Sequence, residues 1–272
     1  MKRILITGED SYIGTHFAAY LSGFSGEYAV ETLAMKGHTP DEYAFHGADA
    51  IVHVAAIVHR KETKETPALY EKINCDLAYA VAEQAKREGV KQFVFFSSMS
   101  VYGKVTGTIT KDTVPAPDTQ YGKSKLSAER RIAALADESF CVTILRPPMV
   151  FGPGAKGNPA RLEQIANRLP FCPDFENRRS MVSIDTLCEA LKGYIDAPRS
   201  GVFFPQETAP LSTAELMERM RKAQNKPVRR SKLLNPAIRA LRRFTRAGKK
   251  AFGDLTYEDL TELPLRKEEA ER

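Results

Sequence analysis

Tyr121 and Lys125 stand four residues apart in the stretch YGKSK, a spacing that puts both side chains on one face of a helix. The pair has a chemical use. A phenol of pKa about 10 is a poor base at neutral pH, but a neighbouring ammonium favours the phenolate, and a fall of about three units corresponds to roughly 4 kcal/mol of differential stabilisation. Tyr121 then becomes a general acid/base. Upstream, FVFFSSMSVYG reads as a buried strand ending in small hydroxyl residues. A serine at a strand's C-terminal end lies at the rim where ligands bind in open α/β sheets, so Ser98 can share a substrate oxygen with Tyr121. Taken alone, YxxxK is common by chance and most such pairs are surface pairs.

A second feature lies near the N-terminus, in TGEDSYIGTHF. A pyrophosphate at a helix N-terminus needs backbone N–H groups pointing at it and no side chain in the way, which Gly8 and Gly14 satisfy. Ser11 stands where a third glycine is expected. Its hydroxyl can bond a phosphate or cap the helix. At the end of the next strand, ETLAMKG places Glu31 within the strand and Ala34 where a carboxylate usually accepts from an adenine ribose hydroxyl. Lys36 follows. A cation without a carboxylate favours a 2′-phosphate and so NADP, while a solvated loop lysine is the equal alternative.

These residues need elements to hold them. Arg3 to Thr7 predicts a buried strand, and Ile13, Phe17 and Leu21 a helix closed by Gly23. Further strands are expected at 28–33, 50–54, 93–96 and 141–145, with a long helix around Ile73, Leu77 and Val81 ending near Gly89 and another beginning near Tyr121. Such alternation is the signature of a Rossmann-type, doubly wound parallel sheet of the α/β class. Beyond Arg146 the prolines and glycines cluster, and the remaining elements are short and mixed. The expected division is a dinucleotide-binding domain over 1–150, carrying the catalytic residues, and a small α+β substrate lobe over 151–272. In that lobe Ser212 and Glu215 form a capping box, and Asn235-Pro236 opens a helix.

The chain has 272 residues, 43% hydrophobic and 27% charged, which excludes disordered and collagen-like classes. Its 40 Lys+Arg against 34 Asp+Glu give +6, suited to anionic ligands in general. Cys75, Cys141, Cys172 and Cys188 show neither a CxxC pair nor a nearby histidine cluster, so neither metal nor disulfides are expected. The apolar run after Met1-Lys2-Arg3 is too short for a signal peptide, and nothing approaches a membrane span; a reduced, cytoplasmic protein is expected. The segment VRRSKLLNPAIRALRRFTRAGKK sets many cations around Leu234, Ile238 and Leu241. It reads first as a lobe helix with a solvated basic face, second as a helix making peripheral contact with an anionic membrane, and third as a nucleic-acid binder, for which no motif exists.

TGEDSYIG, IVHVAA, SSMSVYG, YGKSK and LRPPMVFGPG together resemble, in order and spacing, the extended short-chain dehydrogenase/reductase family over residues 3 to 190. Within it the chain is most similar to NAD-dependent epimerases/dehydratases of the UDP-glucose 4-epimerase type and, through RPPMVFGPGAKGN and NRRSMVSID, to the bacterial surface-polysaccharide branch. The resemblance implies Ser98, Tyr121 and Lys125 as the catalytic triad. It implies Gly8, Ser11, Tyr12, Ile13, Gly14, His53, Ala55 and Ala56, with Tyr121 and Lys125, at an NAD or NADP site, to which the reading of the strand end adds Lys36. Ser98, Met99, Tyr121, Asn158 and Arg179 would meet a nucleotide sugar, Arg179 as a forked donor to its diphosphate. Asn74 matches an asparagine of structural or catalytic role, and Tyr102 the tyrosine of the VYG motif. A homodimer through the Tyr121 helix is also implied. The stretch before ADAIVHVAA is shorter than the family's, which predicts a reduced strand or helix in the cofactor half.

Three functions follow. The first is C4 epimerisation of a UDP-hexose by transient hydride transfer, for cell-surface polysaccharide synthesis. The second is NADPH-dependent reduction of a 4-keto sugar nucleotide, towards which Ala34 and Lys36 lean. The third, a dinucleotide-binding protein without turnover, is opposed by the intact Ser98, Tyr121 and Lys125.

Overall fold

Ile4, Leu5 and Ile6 run without a polar break, and in the computed structural model, which describes residues 1–58, 63, 65–258 and 260–265, they lie in strand β1 (Lys2–Thr7). There follow α1 (Tyr12–Ser22), β2 (Tyr28–Leu33), β3 (Ala50–His53), α2 (Thr66–Tyr70), α3 (Leu77–Arg87), β4 (Gln92–Phe96), β5 (Gly107–Ile109), α4 (Gln120–Ala133) and β6 (Cys141–Leu145). The chain continues through β7 (Met149–Phe151), α5 (Asn158–Arg168), β8 (Cys172–Pro173), β9 (Met181–Ser183), α6 (Ile184–Asp196) and β10 (Gly201–Phe203). It closes with α7 (Thr213–Ala223), β11 (Arg230–Ser231), α8 (Asn235–Phe244), α9 (Arg246–Phe252), β12 (Leu255–Tyr257) and β13 (Glu262–Leu263).

The main sheet has seven strands in the order β13-β10-β6-β4-β3-β1-β2, all parallel except the β10–β13 pair. Its strands are apolar on both faces because both faces are covered. Leu5, Ile51, Phe93 and Phe95 pack on the side of α3 and α4, while Ile4, Ile6, Val52, Val94 and Phe96 pack on the side of α1 and α6. After β2 the chain crosses β1 to enter β3 on its other side. That reversal opens a crevice at the C-terminal ends of β1 and β3, the place where ligands enter such sheets.

Between β2 and β3 there is one 3-10 turn, Pro40–Glu42, and the sheet ends on β2. This is the reduction that the short stretch before ADAIVHVAA predicts. The division at residue 150 is less clean than expected. Helix α6 packs on the sheet core, and β10 and β13 rejoin the sheet from beyond residue 151. The small lobe consists of α5, α7, α8 and α9 with three two-stranded pairs, two of them, β5–β12 and β7–β9, tying it to the segments flanking α4 and β6. The Ser212/Glu215 capping box is present at α7, and Pro236 sits in the first turn of α8. All four cysteines are free thiols, and no helix among the described residues is long and apolar enough to cross a membrane.

The long helix around Ile73 is interrupted by a π-helical turn, Glu71–Asp76, between α2 and α3. Such wide turns re-aim side chains and occur often at functional sites. Here the turn carries Asn74, which is wholly buried and grips Ile57 on both sides, accepting from its N–H at 2.8 Å and donating to its carbonyl at 3.0 Å. Its amide also donates to Ser124 of α4 at 3.2 Å. Asn74 thus fastens the chain after β3 to the helix that bears Tyr121, a structural role.

Candidate active site

The glycine turn closes tightly over the end of β3. Gly8 has φ +91°, its N–H donates to the Leu33 carbonyl at 2.8 Å, and its carbonyl accepts from the Ser11 N–H at 2.9 Å. A Cβ on Gly8 would lie 3.1 Å from the Ala55 Cα, and one on Gly14 would lie 2.5 Å from the Ser11 Oγ. The chain therefore presents bare backbone to the crevice, at the N-terminus of α1, which fits the phosphates of a dinucleotide. The Ser11 hydroxyl caps the helix, accepting from the Gly14 N–H at 2.9 Å, which leaves its own O–H as a donor for a phosphate. Such a cap contributes about 1 kcal/mol to helix stability.

Two expected cofactor residues face elsewhere. The His53 side chain is fully buried beneath the crevice, bonded to Thr7 through Nδ1 at 2.9 Å and stacked on Phe93 and Phe95. Burial, with Lys125 nearby, pulls its pKa down to about 3, so the ring stays neutral and only its backbone can border a nucleotide. The Tyr12 hydroxyl is buried with no hydrogen-bond partner among the described residues, and a Cβ on Gly152 would come within 2.7 Å of it. Burial first, then Asp185 and Cys188, pushes this phenol up to about 12. Tyr12, like half-buried Ile13, thus offers backbone rather than side chain at the start of α1. Ala55 is buried against Gly8, and Ala56 is half-buried beside it. Beyond β2, Ala34 engages Tyr43 through its carbonyl, Glu31 lies within the strand and pairs with Arg3 at 3.2 Å, and Lys36 is exposed.

Ser98, Tyr121 and Lys125 do come together at the rim of β4. Ser98 caps the 3-10 turn Met99–Tyr102, its Oγ accepting from the Ser100 N–H at 3.1 Å and donating to the Ser100 Oγ at 3.0 Å. Helix α4 starts directly against that turn, where a Cβ on Gly122 would stand 2.7 Å from the Ser100 carbonyl oxygen. Close approach at Gly122 brings Tyr121 to Ser98. The phenol is pushed up to about 12 by burial, opposed by a hydrogen bond with Ser98, with Tyr70 across an edge contact of 6.3 Å adding to the rise.

Lys125 does not do what its spacing predicts. Its ammonium is buried, donates to the Phe96 carbonyl at 2.7 Å and lies 4.7 Å over the Phe95 ring. Burial pulls its pKa down to about 7, with Glu129 pulling the other way. A lysine half-neutral at pH 7 is a weak source of field, so the protein alone leaves Tyr121 protonated. Because the unfolded lysine binds its proton up to about pH 10.5 and the folded one only up to about 7, the destabilising contribution of Lys125 fades between those values. Lys125→Met is accordingly expected to be more stable than wild type by roughly 2–4 kcal/mol at or below pH 7. In chemical denaturation at several pH values the gain should shrink towards pH 10, and the variant should be inactive.

Of the substrate residues, Met99 is buried and its N–H donates to the Pro147 carbonyl at 3.0 Å. Asn158 is exposed in the first turn of α5. Arg179 is half-buried, unlike exposed Arg178, and donates to the Gly253 carbonyl at 2.7 Å. Burial pulls its pKa down, Asp254 opposing, and no ion pair occupies it among the described residues. No hydrogen bond joins Asn158 or Arg179 to Ser98, Tyr121 or Lys125 among the described residues.

Behind the triad lies a network that residue spacing does not announce. Glu129, one turn after Lys125 on α4, accepts from Arg146 Nε at 3.0 Å and from Nη2 at 2.5 Å, both side chains being buried. Arg146 also donates to Tyr102 Oη at 2.8 Å, and Tyr257 Oη donates to the Arg146 carbonyl at 2.9 Å. The tyrosine of the VYG motif therefore completes a buried ion pair. The order Glu129, one turn past the YxxxK lysine, was the available signal.

A parallel sheet with a glycine turn at its switch point, and a Ser, Tyr and Lys at the rim of a neighbouring strand, defines the extended short-chain dehydrogenase/reductase class. Residues 4–203 match the sequence profile of the NAD dependent epimerase/dehydratase family, and the chain belongs to that family. It is 33% identical over 256 residues to the UDP-glucose 4-epimerase of Vibrio cholerae, covering 83% of this chain and 77% of that protein. Several other curated relatives match over about half of their own length. The fold is similar to the UDP-glucuronic acid 4-epimerase of Bacillus cereus solved with NAD, with a TM-score of 0.69 at 18% identity, covering 95% of this chain and 90% of that one. It is also similar to RMD of Pseudomonas aeruginosa solved with NADPH, with a TM-score of 0.67 at 22% identity, covering 85% of each chain. The chain is an enzyme of this family, and its cofactor class is NAD or NADP.

Proposed function

We propose that the protein is a nucleotide-sugar epimerase that inverts C4 of a UDP-hexose for cell-surface polysaccharide synthesis. The observation that carries the reading is the convergence of Ser98, at the end of β4, and Tyr121 of α4 beside Lys125 at the crevice rim. A bound nicotinamide dinucleotide supplies a hydride acceptor and donor. Tyr121 removes the proton of the C4 hydroxyl as the carbonyl forms, and Ser98 donates a hydrogen bond to the same oxygen. After the 4-keto sugar turns over in the site, Tyr121 returns the proton and C4 is left inverted. Arg179 and Asn158 hold the diphosphate end, and Lys125 holds the ribose through donors not used by Phe96. Burial, with Tyr70 adding to it, raises the phenol to about 12, and a nicotinamide dinucleotide held by the glycine turn and Lys125 would supply positive charge that favours the phenolate.

The test is direct incubation of purified protein and NAD+ with UDP-galactose and UDP-N-acetylgalactosamine, followed by proton NMR of the sugar. Appearance of the C4 epimer at constant total nucleotide sugar supports the reading; unchanged substrates refute it.

A second reading, reduction of a 4-keto sugar nucleotide by NADPH, is favoured by Ala34 and by exposed Lys36 at the end of β2. If Lys36 binds a 2′-phosphate, Lys36→Ala should weaken NADPH binding by about tenfold, near 1.4 kcal/mol, and leave NADH binding unchanged. Titration of both nucleotides by quenching of protein fluorescence separates the two; equal small effects would return Lys36 to the solvent.

A further inference from the structure

The geometry points to helix α8 as an interfacial helix that seats the protein on an anionic lipid bilayer. The helix is fastened by one face. Asn235 donates to the Asp174 carbonyl at 2.8 Å, Ile238 is buried, and the Arg242 guanidinium lies 5.9 Å over the Phe175 ring. Leu241, which the sequence pattern places on the inward stripe with Leu234 and Ile238, faces out instead. Ala237, Ala240, Leu241 and Phe244 follow i, i+3, i+4, i+7 spacing and are all exposed. The outward face of α8 is therefore a continuous apolar stripe. Phe244 is 77% exposed, Leu241 43%, and Leu233, just before the helix, 75%. A solvated basic helix would show the reverse arrangement.

Charge decides what such a face fits. No Asp or Glu occurs between Glu218 and Asp254. Cations turned towards the body are paired: Arg230 with Glu218, Arg242 with Asp254 at 3.7 Å, and Arg246 with Asp118. Arg243 lies 5.7 Å over the Phe244 ring at the edge of the stripe, Arg239 stands one turn earlier, towards the cavity bordered by Phe175 and Glu176, and both, with Lys249 and Lys250 on α9, are exposed and carry no ion pair among the described residues. Exposed apolar groups flanked by unpaired cations match an acyl boundary beneath anionic headgroups. A second copy of the chain would bring the same cations against one another, which disfavours self-association through this face.

Flotation of the full-length protein with vesicles of phosphatidylcholine, with and without phosphatidylglycerol, tests the assignment. Binding is expected only with phosphatidylglycerol, and it should weaken as salt rises from about 0.1 M to about 1 M. Leu241→Ser/Phe244→Ser should lower vesicle partitioning by roughly tenfold or more. Arg239→Glu/Arg243→Glu should abolish the dependence on anionic lipid. Because all four side chains are exposed, circular dichroism and nucleotide binding should not change. Failure to float would overturn the assignment, as would flotation indifferent to both variants. A dimer in sedimentation velocity that Leu241→Ser/Phe244→Ser converts to monomer would make the face a self-interface. Binding to a duplex oligonucleotide with vesicles ignored would make it a nucleic-acid site.

Discussion

Tyr121→Phe is expected to lower turnover by about 10²–10⁴-fold, the range that a positioned proton donor and acceptor contributes, while NAD binding stays within about twofold of wild type. The ring and its edge contact with Tyr70 are retained, so stability should not fall. What is lost is the phenolic oxygen that α4 brings to the Ser98 side of the rim. The wild-type pH profile makes the assignment sharper. With the free phenol near 12, kcat/KM for oxidation of the sugar should rise about tenfold per pH unit through the neutral range. At saturating nucleotide the plateau should come at lower pH, by the amount that the bound cation favours the phenolate. A flat profile, or turnover retained by the phenylalanine variant, would remove Tyr121 from the chemistry.

Glu129→Ala is expected to cost roughly 3–5 kcal/mol of stability, because it leaves the Arg146 guanidinium buried and unpaired. For a chain of this size that corresponds to a fall in Tm of roughly 6–20 °C in a thermal scan. The loss should exceed that of any surface pair in the molecule, such as Arg199 with Glu262, whose partners are solvated. Glu129 also favours the charged form of Lys125, so the variant should lose activity beyond what its folded fraction explains. Equal loss of activity and folded protein would reduce Glu129 to a structural residue.

The parallel sheet was legible because strands buried on both faces leave unbroken apolar runs, as at Ile4–Ile6 and Phe93–Phe96. The glycine turn was legible because backbone approach leaves no alternative to glycine at Gly8 and Gly14. Ser98, Tyr121 and Lys125 were legible as a group through helical spacing and strand-end position. What escaped depends on three-dimensional neighbours. The depressed pKa of Lys125 comes from burial of its ammonium against the end of β4, a strand 29 residues earlier. The burial of His53 follows from the alternation of β3, whose last residue turns under the sheet towards Thr7. The π turn at Asn74 leaves hydrophobic periodicity nearly unchanged. On α8 the apolar pattern supports two adjoining stripes that share Leu241, and the anchoring of Asn235 and Arg242 shows which of them faces the body.

The shortened connection after β2 also bears on how copies of the chain behave when crowded. It leaves β2 as a six-residue free edge, a template on which a foreign strand could grow. Glu31 and Thr32 are exposed there, the carboxylate held against Arg3. A second copy adding antiparallel about the strand centre would set Glu31 of each copy opposite Val30 of the other, a charge against an apolar side chain. The other edge, β13, is two residues long and too short to seed pairing. Among the described residues the β2 edge thus carries the Glu31–Arg3 pair, and a charge at an open edge disfavours the addition of a further strand.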